Sequence, residues 1–360
     1  MSKTAPIVCL CLLLALAGCL GSAKTPAGAR PGLAAQDLEQ QKREAMAADA
    51  LDKAVQLYHD GEYLDDEAAL SYLDEAVELD PNLAAARYQR ALLLMEKNRW
   101  DEAQTDIDRV LRLDPNHIKG RFTRGLIRYH NGDYADAVAD FSRVLEQDDT
   151  ISEAYAYRGG CYNRTRRYED AVADFGRALA LNPANRDAYY GRGMAQAALG
   201  RDPEAVHDLT QALSLDSQSV DLLLARGSLY MRMSKYAEAA SDFRRASEFS
   251  PTDSTFPALL ANALAGTEDY AGAAAAAAKA LTLAKAEGDA KAQAAYADMI
   301  RDYRAKAAAA AKSPKPKPTA SAPAKPEPKP APPAGEPGPD APGPAGGDEG
   351  RRPPPPPARP

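Results

Sequence analysis

The sequence predicts an all-α chain, a solenoid of about seven stacked helix hairpins with a C-terminal capping helix and a disordered proline-rich tail. Three observations predict it. Ile118 to Ile151 and Ser152 to Asn185 read as one 34-residue unit written twice, with Arg124-Gly125 answered by Arg158-Gly159 and Ala137-Val138-Ala139-Asp140-Phe141 by Ala171-Val172-Ala173-Asp174-Phe175. Small residues hold the same register across the chain, at Ala91, Gly125, Gly159, Gly193, Gly227 and Ala261, and at Ala69, Ala103, Ala137, Ala171, Ala205, Ala239 and Ala273. Within each unit apolar residues recur at three and four around a turn signal such as Asn131-Gly132-Asp133, the pattern of two antiparallel helices.

The amino end is organised differently. Residues 1 to 18 carry Lys3, an apolar run from Ile7 to Ala17 and a small-residue exit, the layout of a secretory signal peptide and too short to span a bilayer as a mature helix. Leu16-Ala17-Gly18-Cys19 resembles the lipobox of bacterial lipoproteins. That resemblance implies cleavage before Cys19 and attachment of lipid (diacylglyceryl and a further acyl group such as palmitate) to it. Leu20, where lipoproteins kept at an inner membrane usually have aspartate, implies an outer-membrane location facing the periplasm. With Cys9 and Cys11 inside the signal and Cys19 lipidated, Cys161 alone remains as a thiol, at a unit position held elsewhere by Leu93, Ile127, Ala195 and Leu229. Burial as a small apolar side chain is its expected role.

Residues 19 to 35, rich in Gly, Ala, Pro and Ser, read as a flexible linker, and helical character is expected from about Gln36. The solenoid then occupies 36 to 312, in units 47–83, 84–117, 118–151, 152–185, 186–219, 220–253 and 254–287. The first unit is three residues longer than its neighbours, which places an insertion at Leu64-Asp65-Asp66 in its inter-helix turn. Asp80-Pro81, Asp114-Pro115 and Asn182-Pro183 punctuate between units, because proline lacks the N–H that a helix interior needs. The seventh unit is alanine-rich, and Asp289 is placed to cap a last helix, 289–312. Its Tyr296, Met299, Ile300 and Tyr303 form one apolar stripe, as a lid over the final unit requires. From 313 to 360 the chain is Pro, Ala, Lys and Gly, a composition that buries no core and, as extended polyproline II, reaches roughly 150 Å.

The period, the small positions and the turn signals together resemble the tetratricopeptide repeat. The resemblance implies a right-handed superhelix whose first helices line a concave surface. Groove residues carried over on that basis are Tyr88, then Phe122, Leu126 and Tyr129, then Tyr157, Asn163 and Arg164, then Tyr190, Met194 and Leu224. Leu92, Lys119, His130 and Arg232 fall on the same positions. The Lys and Asn of the arrays that clamp chaperone C-termini are missing, the equivalents being Tyr88 with Leu92 and Phe122 with Leu126.

One departure from the family pattern recurs. Where the family has an apolar and an aromatic residue, five units have Arg and Asp: Arg90 with Asp106, Arg124 with Asp140, Arg158 with Asp174, Arg192 with Asp208, and Arg226 with Asp242. Antiparallel packing sets these at similar height on facing helices, so a ladder of internal ion pairs is expected. The outer units have Lys53 with Tyr72 and Leu260 with Ala276 instead.

Composition narrows the function classes. The formal charge is -7, and the acidic excess lies in the middle of the chain because residues 1 to 18 and 313 to 360 are net basic. A phosphate backbone finds no matching surface there, so no nucleic-acid partner is expected. His59, His117, His130 and His207 are scattered, and no catalytic constellation, metal site, cofactor loop or small-molecule substrate is indicated. The expected function is a non-enzymatic, membrane-anchored scaffold that holds envelope proteins or peptides in its groove, in envelope assembly, secretion or recruitment of wall enzymes. The alternative is a structural tether that links membrane to cell wall through the proline-rich tail.

Overall fold

A computed structural model describes residues 31–59 and 62–312. The signal peptide, Cys19, the linker up to residue 30, Gly61 and the tail from 313 to 360 lie outside the described residues. The described residues form fifteen helices and one two-stranded sheet. After α1 (Pro31–Gln56) come β1 (Tyr58–His59), β2 (Glu62–Tyr63) and α2 (Asp66–Leu79). The following hairpins are α3 (Ala84–Glu96) with α4 (Trp100–Leu113), α5 (Ile118–Asn131) with α6 (Tyr134–Gln147), and α7 (Ser152–Arg164) with α8 (Tyr168–Leu181). Then come α9 (Arg186–Ala198) with α10 (Asp202–Leu215), α11 (Val220–Arg232) with α12 (Tyr236–Phe249), and α13 (Thr255–Gly266) with α14 (Tyr270–Glu287), before α15 (Ala290–Lys312). Each helix packs on its chain neighbour from α1 through to α14, and the stack is the predicted solenoid of helix hairpins. Among the described residues no helix is long and apolar enough to cross a membrane.

The second helices α2 to α12 are 14 residues each, a length marginal for an isolated helix in water, so packing supplies their stability. All seven recurrent alanines from Ala69 to Ala273 are fully buried, which lets the backbones of a hairpin close on each other. The opposing small position is matched to its neighbour's bulk. Gly125 lies under the buried ring of Phe141, and a Cβ there would come within 2.7 Å of it. Gly193 faces the slimmer Leu209, where a Cβ would stand 3.4 Å from Cγ and 3.3 Å from the Ala205 carbonyl oxygen. Burying a ring such as Phe141 or Phe243 contributes about 1.5–3 kcal/mol, so one hydrogen in place of a methyl is a worthwhile exchange.

Each turn within a hairpin from α3–α4 to α13–α14 contains one left-handed residue, at Asn98, Gly132, Arg166, Gly200, Ser234 and Glu268, again 34 apart. The next residue's N–H reaches back five positions to the first helix, as in Arg99 to Leu94 and Arg167 to Tyr162, both 2.8 Å. This closes a Schellman-type helix end. Between units the side chain of Asp80, Asp114, Asp148 or Asn182 accepts from the N–H two residues on, at 2.8–3.1 Å. The turn therefore persists at Asp148-Asp149, where no proline follows.

Two features of the first unit differ from expectation. Helix α1 starts at Pro31, so residues 31–35 are helical rather than part of the linker. The longer turn holds a two-residue antiparallel hairpin, Tyr58 opposite Tyr63 and His59 opposite Glu62, with the tyrosine rings edge to face at 5.0 Å. Asp65 then caps α2 by accepting from the Ala68 N–H, which returns the second helix to the common register. At the other end Asp289 accepts from the N–H groups of Lys291 and Ala292, each at 3.0 Å. Ile300 and Tyr303 of α15 are buried on Ala261, Ala273 and Ala277, and the Tyr303 hydroxyl donates to Asn262 Oδ1 at 2.7 Å.

Candidate functional site

Five Arg–Asp pairs brace the hairpins that present the first-helix face. Arg158 Nε and Nη2 donate to the two oxygens of Asp174 at 2.7 and 2.8 Å, and the same two-point bond joins Arg90 to Asp106, Arg124 to Asp140, Arg192 to Asp208 and Arg226 to Asp242. All five carboxylates are buried. Hydrogen bonding to its carboxylate pushes each of these guanidiniums above its ordinary pKa, so each arginine stays charged.

The remaining guanidinium nitrogen links one unit to the one before. Nη1 of Arg90 donates to Asp74, of Arg124 to Asp108, of Arg158 to Ser142 and of Arg226 to Thr210, at 2.8, 3.2, 3.0 and 3.0 Å. The equivalent position for Arg192 is Gly176, which offers no side chain. Asp106 also accepts from Arg87, and Asp140 from Arg128, both at 2.6 Å. In the outer unit, Lys53 Nζ instead lies 5.9 Å from the centre of the Tyr72 ring.

First helices of successive units touch, α5 with α7 and α7 with α9, and they line a face with two hollows. The first, of about 440 Å³, is walled by Phe122, Leu126, Tyr129 and His130 of α5 and Tyr157 and Arg164 of α7, with Met95, Trp100 and Tyr134 at its edge. Its rings support one another: Phe122 and Tyr129 meet Tyr157 edge to face at 5.9 and 5.8 Å, and Trp100 stacks on His130 at 3.8 Å. Burial pushes the Tyr157 hydroxyl up from its ordinary pKa. A hydrogen bond with Tyr129 raises the Arg164 guanidinium. The second hollow, of about 370 Å³, is lined by Tyr190, Met194 and Ala197 of α9 and by residues of α11 from Asp221 through Leu224 to Arg232. Tyr190 is 36% exposed and Met194 40%, large apolar side chains left open to solvent.

Sequence-expected groove residues thus divide. Phe122, Leu126, Tyr129, Tyr157 and Arg164 meet in the first hollow, and Tyr190, Met194 and Leu224 in the second. Phe122 and Tyr157 also fill the contact between units, packing on Phe141 at 5.6 and 5.9 Å. Tyr88 lies against His117, with ring centres 5.5 Å apart, outside both hollows. Asn163 is outside them too, because its Nδ2 donates to the Gly191 carbonyl at 2.8 Å and ties α7 to α9. Trp100 and Tyr134, which sit on second helices, were not among the expected groove residues; Trp100 stacks on His130 of the following unit, and Tyr134 meets Tyr129 across the α5–α6 turn. Cys161 is buried with a free thiol, and burial pushes its pKa up to about 12. Among the described residues no group of three or more His, Cys, Asp or Glu stands close enough to hold a metal ion.

No curated protein matches this sequence. Solved structures similar to it include a tetratricopeptide repeat protein from Parabacteroides merdae ATCC 43184, at 19% identity over 74% of this chain and 99% of that one, with a TM-score of 0.48. PilF from Pseudomonas aeruginosa is 16% identical over 62% of this chain and 97% of its own, with a TM-score of 0.49. YrrB, described as a tetratricopeptide repeat protein with an unusual peptide-binding site, is 21% identical over 50% of this chain and 92% of its own, with a TM-score of 0.44. Family models of the tetratricopeptide repeat match residues 93–158, 162–220 and 224–290, together more than half of the sequence. The chain belongs to the tetratricopeptide repeat family.

Proposed function

We propose that this protein is a scaffold that holds a segment of another protein along its first-helix face while lipid on Cys19 anchors it to a bacterial envelope membrane. The carrying observation is the open apolar floor at Tyr190 and Met194. Large side chains exposed side by side on a rigid, ion-paired frame are what a partner's apolar residues bury against. The anchor rests on Leu16-Ala17-Gly18-Cys19 at the end of the apolar run. Several acyl chains at about 0.8 kcal/mol per buried methylene hold a protein firmly to a bilayer. An outer-membrane location facing the periplasm follows from Leu20 on the same reading. The scaffold itself catalyses nothing; its partners belong to envelope assembly, secretion or wall remodelling.

The test is photocrosslinking in the producing cell from residue 190 or 194, with residue 143 as a control, since the Arg143 side chain on α6 is 67% exposed. Positions 190 and 194 should capture the same small set of proteins and position 143 should not. Equal capture from all three positions refutes the groove. Failure of Cys19 to take up labelled fatty acid in the producing cell, with Cys19→Ser as the blank, refutes the anchor.

A further inference from the structure

Charge is sorted across the candidate groove. The second residues of α7, α9 and α11 are Glu153, Asp187 and Asp221, while α7 and α11 end in Arg164 and Arg232. Eleven residues separate the two ends within α7 and within α11, close to a whole number of helical turns, so both ends share the face that also bears Tyr157 and Leu224. From α7 to α11 one edge of the floor therefore carries carboxylates and the other carries Arg164 and Arg232, about 16 Å apart at roughly 1.5 Å per residue, whereas α5 has Lys119 at the carboxylate position.

These charges also complement the helix dipoles, which carry roughly half a charge at each end, so about half of each side-chain charge still faces the groove. Not every member is free. Arg232 is paired with Asp202, and Arg186 donates to Asp187 at 2.6 Å. Arg164 bonds Tyr129 and, among the described residues, no carboxylate, and it lies close enough to Tyr190 that each shifts the other's titration. It thus stands between the aromatic hollow and the aliphatic one.

We propose, resting on the groove reading above, that the occupant is an amphipathic helix whose flanks are sorted by charge. Its apolar stripe lies on the floor, its carboxylates face Arg164, and its cations face Asp187 and Asp221. Width favours a helix: at about 10–12 Å with side chains it fills most of the roughly 16 Å between the edges and leaves the rest to the reach of Arg164 and Asp221, whereas a single strand, about 4.8 Å from its neighbours in a sheet, fills less than half of it. Turning such a helix end for end exchanges its flanks, so the two charged edges also set the direction in which it lies.

Two fluorescent peptides of about twenty residues, enough for a stable helix, test this with the full chain. Both carry the same leucine stripe and the same Glu and Lys content, one with Glu and Lys on opposite flanks and the other with them interspersed. Anisotropy at low salt should show the sorted peptide binding roughly tenfold tighter, with the gap closing at high salt. Arg164→Glu and Arg164→Gln should each narrow it, and Met194→Arg should weaken both peptides. Equal affinity for the two, no binding of either, or a gap unchanged by Arg164→Glu overturns the inference. If Met194→Arg releases both peptides while sorting makes no difference, the groove stands and charge sorting falls. If Met194→Arg releases neither, the groove reading fails with it.

Discussion

Asp208→Ala isolates one rung of the ladder. The carboxylate is 1% exposed and takes both hydrogen bonds that Arg192 makes, because Gly176 offers its third nitrogen nothing. Its loss leaves a guanidinium whose side chain is only 23% exposed. Removing one partner of a buried pair costs about 3–5 kcal/mol, and partial rehydration of Arg192 puts this case near the lower end, about 3 kcal/mol. Since about 1.4 kcal/mol is a factor of ten, native-state hydrogen exchange in α9 and α10 should quicken roughly 100-fold. The control is Glu146→Ala, which breaks a pair whose side chains are 67% and 59% exposed and should cost about 0–1 kcal/mol. Replacing both partners with apolar residues, Arg192→Met with Asp208→Leu, should cost less than Asp208→Ala alone, because no buried charge is stranded. An exchange shift for Asp208→Ala no larger than that of Glu146→Ala refutes the claim that these pairs brace the hairpins.

Further substitutions probe other features of the repeat. Gly125→Ala drives a methyl into Phe141 and should lower stability by about 1–3 kcal/mol, whereas Gly193→Ala gains helix propensity against a tight but not overlapping contact with the Ala205 carbonyl oxygen and should stay within about 1 kcal/mol of wild type in urea melts; equal losses contradict the size matching. Arg166 is left-handed at φ 61°, so Arg166→Gly should stabilise by about 0.5–1 kcal/mol, and an unchanged urea midpoint counts against it. Gly176→Ser supplies Arg192 with the hydroxyl that Ser142 and Thr210 give its equivalents and should add about 0.5–1.5 kcal/mol; a loss of stability contradicts the inter-unit link. Cys161 titrates near 12 folded against an ordinary 9.0, so the folded state holds the proton longer. Stability therefore falls as pH rises from about 9 to about 12, and Cys161→Ala should lessen that fall. With Cys9, Cys11 and Cys19 replaced by serine, a thiol reagent at pH 8 should modify Cys161 only as fast as the fold opens; immediate modification contradicts its burial.

What the sequence disclosed was whatever repeats. A constant interval reports the interactions made in every unit, so helix starts at Ala84, Ile118, Ser152, Arg186 and Val220 were legible, as was the facing of Arg and Asp across each hairpin. The interval is silent on what occurs once. Arg87 and Arg128 converge on Asp106 and Asp140 from neighbouring turns of the same helix, and only side-chain reach decides that. The left-handed residue in each turn was visible where it is glycine and hidden where Asn98, Arg166, Ser234 or Glu268 takes the strained conformation. The short hairpin at Tyr58 and Tyr63 arises from the extra length of a single turn, which no neighbouring unit shares. Groove positions were partly legible for a related reason: a position number gives a face, but whether an aromatic such as Phe122 fills the space between units or stands open depends on its particular neighbours. Asn163 illustrates the limit, since its tie to Gly191 needs a carbonyl in the next unit that a side-chain pattern does not show.

The central claim, that the first-helix face holds another polypeptide, is tested most directly by hydrogen exchange on the full chain with and without the protein captured from residue 194. Binding should slow exchange in α5, α7, α9 and α11 and leave α6, α8, α10 and α12 as they were. Protection confined to the second helices, or to segments outside the solenoid, contradicts it.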